Sequence, residues 1–253
     1  MEWFPEAAAG AALYGLLAGQ LVPTLIERIP EPQPEPQPQP QPEPQPEPPE
    51  ETAPPPAKEL YADIGRRRGL RWKTSLATAV TSGLLGAAVG WGPELFVLLY
   101  LAPVGVALAV VDWRTQLLPT KVITPSYFVV IALVLASAWL QGDFDSVIGA
   151  GWGWLVAGGT FLLLWLVYPR GMGLGDVRLS GVLGLALGHL GWGELLVGVW
   201  SGFFIGAVGG GLLALLRIVD RRRYPFGPFM LLGAVAGVVL GPGVAEWYAA
   251  GLR

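Results

Sequence analysis

The chain contains no cysteine, which removes at once a disulfide frame, a thiolate zinc site and a cysteine nucleophile. Histidine is almost as scarce: His189 stands alone near the end of an apolar run, so no metal site is expected. Charge is thin as well, at 14 % of residues against about 25 % in soluble proteins. A chain that is 53 % apolar with so little charge cannot cover a globule with polar surface. No basic stripe marks a nucleic-acid partner, and the net charge of −3 says less than where the charges fall.

Glycine and tryptophan are plentiful instead, with 36 and 11 residues. Glycine lets helices pack backbone to backbone in lipid, and indole rings favour the membrane–water boundary. Membrane lipid is therefore the first partner expected, and the fold class is all-α, a polytopic membrane protein of about eight transmembrane helices. Apolar segments of spanning length fall at roughly 7–26, 74–90, 94–111, 123–140, 148–167, 178–190, 194–216 and 229–249, the sixth being short. The first has no basic residue before it and runs into Ile-Glu-Arg-Ile-Pro, not a small-residue cleavage site, so it is expected to be an anchor.

With eight spans, the loops at 27–73, 112–122, 168–177 and 217–228, taken with Arg178, carry 15 of the 16 Lys and Arg residues. That asymmetry is the positive-inside signal, so those loops are expected in the cytoplasm and both termini outside. Three parts are expected: an anchor at 1–29, a linker and basic segment at 30–73, and a transmembrane core at 74–253. Within the linker, residues 30–56 hold 14 prolines alternating with Gln and Glu. Such a stretch has too few apolar groups to fold and is expected to be a disordered, polyproline-like spacer, extending at most roughly 80 Å. Its other reading is a docking strand for a partner. Arg66, Arg67, Arg68, Arg71 and Lys73 follow, a cluster that orients a span and attracts anionic lipid.

Two aspartates stand at the predicted cytoplasmic ends of spans, Asp112 in VVDWRTQLLPT and Asp176 in GMGLGDVRLSG. Ionisable groups at membrane depth are costly and so are candidates for function. Two carboxylates brought together can share one proton, one acting as base on a water and the other as acid. Each also has a structural reading: Asp112 paired with Arg114, Asp176 as a helix cap. Gly171, Gly173 and Gly175 favour function at the second motif, because three glycines let backbone come close to a neighbour or a substrate strand, which a mere cap does not require. Pro225, Gly227 and Pro228 mark a third motif, Tyr224-Pro225-Phe226-Gly227-Pro228-Phe229, where a broken helix exposes backbone groups or simply turns. Asp143, Asp145 and Glu194 read as outer-loop acids, and Asp220 as a solvated partner of Arg221, Arg222 and Arg223.

These motifs resemble those of the type IV prepilin leader peptidases, GxGD intramembrane aspartic proteases. VDWRTQLLPT is similar to the family's first aspartate motif, GMGLGDVRLSGVLGLALGHLGW to its second, and the Tyr224–Phe229 segment to a further signature. The opening GQLVPTLIERIP is similar to the family's GSFLNVVIYRLP. The resemblance implies a catalytic dyad at Asp112 and Asp176, with Gly173 and Gly175 forming the turn. It implies prepilin or pseudopilin substrates, cut on the cytoplasmic side just before an apolar N-terminal helix, with no cofactor for the cleavage. Four departures stand out: Gln20 and Pro23 replace Ser and Asn, Thr120 replaces an acid, and Arg178 replaces a lysine. The cysteine-paired cytoplasmic domain that accompanies N-methylation in many members is replaced by the proline-rich stretch. S-adenosylmethionine is thus expected only if methyltransferase activity is present, and a pilus-assembly partner only if that stretch docks one. The competing class is a proton- or ion-coupled transporter using the same two acids.

Overall fold

A computed structural model describes residues 3–31, 59–169, 172–216 and 225–251. Among the described residues every regular element is helical, and six helices are long and apolar enough to cross a bilayer. They are α1 (Pro5–Glu27), α4 (Pro93–Thr115), α5 (Thr120–Gln141), α6 (Asp145–Val167), α8 (Trp192–Leu215) and α9 (Gly227–Gly251). Three more complete the order: the short α2 (Tyr61–Gly65), α3 (Leu70–Val89) and α7 (Leu174–Leu190). The proline-rich stretch lies outside the described residues beyond Glu31, as does Asp220.

Helix α3 is the most polar of the long helices for a physical reason. Its Thr74, Ser75, Thr78 and Ser82 are buried against α1. The Thr74 hydroxyl donates to the Gly19 carbonyl at 2.8 Å, and the Ser75 hydroxyl to that of Leu16. Small residues let the two backbones approach, and the Thr74 and Ser75 hydroxyls find acceptors on α1, while that of Thr78 bonds back to the Thr74 carbonyl. A second tight pair, α8 with α9, uses glycines in the same way, Gly198 and Gly202 facing Gly233 and Gly237. Helix α7 sits at the centre, buried along nearly its whole length and packed on α5, α6 and α9. Its Gly184 and Gly188 meet Gly153 and Gly149 of α6 backbone to backbone, just before α6 widens into a π turn at Trp154–Gly158.

The segment after the proline-rich stretch contributes to this core. Tyr61 and Ile64 of α2 are buried with Val22 and Ile26 of α1 and Ala107 and Val111 of α4. The Glu31 carboxylate accepts the Tyr61 N–H at 2.5 Å, so the two ends of the stretch are tied together at the start of α2. Burial, then the neighbouring Glu31 charge, hold the Tyr61 phenol above its usual range.

Candidate active site

Three chain segments meet at one end of the bundle: the end of α4, the start of α7 and the start of α9. Asp112 lies one turn before the end of α4 and is 4 % exposed. Asp176 is the third residue of α7 and is 9 % exposed. The 63 residues between them include α5 and α6, and Leu118 brings the two motifs together by packing against both Gly175 and Gly227. Two carboxylates withdrawn from water at one end of the bundle can share one proton.

Each carboxylate is held by a main-chain donor. Asp112 accepts the Gly227 N–H on Oδ2 at 2.9 Å, across 115 residues of sequence. That N–H opens α9, where unpaired donors and the helix dipole favour negative charge. Asp176 accepts the Gly173 N–H on Oδ2 at 3.0 Å, closing the first turn of α7. The cap read for Asp176 is thus present in the structure, and Asp112 takes Gly227 as its hydrogen-bond partner.

Leu118 locks the three segments. The chain leaves α4 through Gln116, in the left-handed region at φ 54°, and so turns back over the site. A Cβ built on Gly175 would stand 2.7 Å from the Leu118 Cβ, and one on Gly227 would stand 2.8 Å from Asp112 Oδ2 and 3.3 Å from Leu118 Cδ2. Glycine is required at both positions by close approach, since any side chain would displace either Leu118 or the carboxylate. Gly173 is exposed and offers its N–H to Asp176.

Pro225 is buried, and Pro228, half-buried, follows Gly227 into α9. Between the two prolines Phe226 joins Phe161 and Phe203 in an aromatic cluster with ring centroids 4.9 to 5.8 Å apart. This anchors the start of α9 and so fixes the Gly227 donor. Arg178 donates to the Thr120 hydroxyl at 2.8 Å, and its carbonyl accepts the Tyr127 hydroxyl at 2.8 Å, tying the start of α7 to α5. Sequence reasoning missed Leu118, the Gly227 donor role and the Arg178–Thr120 contact. The one available signal was that Thr120 and Arg178 both depart from the motif pattern.

His189 lies at the other end of α7, bonded to the Ser137 hydroxyl at 3.0 Å. It borders a polar cavity with Glu94, Asp143 and Glu194, away from the two aspartates. Among the described residues no cluster of His, Asp and Glu is arranged to hold a metal.

The type IV leader peptidase family model matches residues 98–241, which hold both aspartates and the start of α9. The chain belongs to the type IV leader peptidase family. It is 31 % identical over 180 residues to the prepilin leader peptidase/N-methyltransferase of Aeromonas salmonicida (strain A449), covering 68 % of this chain and 59 % of that protein. The protein of the same description in Pseudomonas aeruginosa is 30 % identical over 190 residues, covering 74 % and 63 %. That of Bacillus subtilis (strain 168) is 27 % identical over 177 residues, covering 68 % and 67 %. The chain therefore spans less than two thirds of the length of the Aeromonas and Pseudomonas relatives. No solved structure matches it.

Proposed function

We propose that this chain is an aspartic endopeptidase that removes the leader of type IV prepilins or pseudopilins, with Asp112 and Asp176 as its catalytic pair. One observation carries the reading: two buried carboxylates from distant segments, each fixed by a glycine N–H, converge in a member of a leader peptidase family. In the reaction a water between the carboxylates loses a proton to the ionised one and attacks the scissile carbonyl. The protonated partner donates to that oxygen, and the leaving amine takes its proton from the pair as the intermediate collapses. Burial keeps the shared proton from bulk water, and Leu118 keeps the two motifs from drifting apart.

Counting α3 and α7 with the six long apolar helices, we read eight spans in a cytoplasmic membrane, the site facing the cytoplasm. The gathering of 15 of 16 basic residues on that side supports this orientation. N-methylation of the new terminus is a separate question, since the chain has no cysteine with which to build the paired-cysteine domain. The transporter reading loses ground because the matched family is one of peptidases. Incubating purified protein with a prepilin and weighing the product intact tests the proposal. Loss of the leader is expected, and a methyl increment would additionally reveal transfer from S-adenosylmethionine. An uncut prepilin would overturn the peptidase reading.

A further inference from the structure

Beside the aspartates, α3 and α9 diverge over α4 and leave an apolar trough of about 330 Å³. Gly105 and Val106 of α4 form its floor, Thr81 of α3 and Val235 of α9 its walls. One end lies at the site: Ala109 and Val110 precede Asp112 by three and two residues, and Pro228 adjoins Gly227. The other end closes where Leu85, Leu98, Leu187 and Val238 pack together. From Leu98 to Val110 the trough follows α4 for about 18 Å, the length of three helical turns. Ala77 and Leu232 on its rim are exposed, so it opens sideways to the apolar surroundings of the bundle.

Two features specify the occupant. The lining carries no charge, and Thr81 is its one polar residue among the described residues. Gly105, Ala102, Ala109 and Ala234 line it with small side chains, which suits a helix whose backbone comes close more than a loose acyl chain. The trough also ends within one turn of Asp112 and beside Gly227, so a chain cut at the aspartates can continue into it. We propose that the trough seats the first three turns of the substrate's apolar helix on the C-terminal side of the scissile bond. The proposal rests on the peptidase reading and adds a place and a direction: residues next to the bond lie at Ala109 and Val110, later ones toward Leu98.

The absence of cysteine makes the test direct. Single cysteines are placed at Ala109→Cys, at Leu101→Cys farther along the trough, and at Leu163→Cys on the exposed face of α6 as a control. Each is combined with Asp112→Asn, so that a full-length prepilin with one cysteine stepped along its apolar helix stays uncut in nanodiscs. Ala109→Cys is expected to form disulfides with positions next to the scissile bond. Leu101→Cys should react with positions about eight residues later, at helical spacing, because both helices rise equally per residue. Leu163→Cys should stay at background. Unordered cross-links, equal reaction at Leu163→Cys, or cross-links only between copies of this chain would overturn the proposal. In the active protein, Val235→Trp fills the trough and should raise KM for the same prepilin about fivefold with kcat little changed; an unchanged KM contradicts it. Cleavage by the unaltered chain is measured first: no cleavage overturns the peptidase reading, whereas cleavage with unordered cross-links overturns the trough alone.

Discussion

Gly227→Ala probes the site through a single methyl group. The added Cβ would sit 2.8 Å from Asp112 Oδ2 and 3.3 Å from its Cγ, closer than a carbon and an oxygen tolerate. Either the carboxylate rotates away or the start of α9 retreats, and both lengthen the 2.9 Å bond from the Gly227 N–H. A hydrogen bond to a charged group contributes about 1.5–3 kcal/mol. If that is lost from the transition state proposed for the Asp112–Asp176 pair, kcat/KM falls roughly 10- to 150-fold. Overpacking costs about 1–3 kcal/mol of stability as well, so thermal unfolding is followed beside cleavage of a detergent-solubilised prepilin. Gly159→Ala is the control, because its methyl group meets nothing within 4 Å. A folded Gly227→Ala protein that cleaves as fast as the parent would refute the assignment of Gly227 as the group that fixes Asp112.

Gly175→Val drives a branched side chain into Leu118, whose Cβ lies 2.7 Å from where the new Cβ would stand, and should reduce cleavage about tenfold or more with both aspartates intact; parental rates would make that glycine incidental packing. Thr120→Asp gives Arg178 a carboxylate in place of a hydroxyl at an exposed contact, so stability should rise by about 0.2–1 kcal/mol and cleavage should persist. Loss of cleavage at the level of an aspartate variant would mean that Thr120 has a direct role. Replacing residues 32–58 by a short turn should preserve cleavage by the purified protein, because Glu31 and Tyr61 already meet at 2.5 Å and the aspartates are untouched. A collapse of cleavage would place that stretch at the substrate.

The pairing of Asp112 with Asp176 was approachable from sequence because both stand at the same predicted depth beside motifs of unusual composition. What joins them was not. Gln116 takes a left-handed conformation without being one of the residues that signal it, so the return of Leu118 over the site had no local mark. The Asp112–Gly227 bond spans 115 residues, and nothing in the spacing of Pro225, Gly227 and Pro228 says that an N–H there serves a carboxylate. Thr120 and Arg178 read as two independent departures, and only the packing of α5 on α7 shows that they touch. Hydropathy is weakest at α3, because its buried hydroxyls face α1, where those of Thr74 and Ser75 find acceptors. The short α2 was legible neither as helix nor as core, since its Tyr61 and Ile64 lie beside a polar, basic segment.

Asp112 and Asp176 are proposed to act as one unit. Purified parent, Asp112→Asn and Asp176→Asn proteins, each verified as folded, are incubated with the same prepilin and the product is weighed intact, with Asp220→Asn as a control. Complete leader loss is expected from the parent, most of it from Asp220→Asn, and none from either dyad variant, since a pair sharing one proton has no spare member. Processing by either Asp112→Asn or Asp176→Asn at the parental level would show that the two aspartates do not act as a catalytic pair.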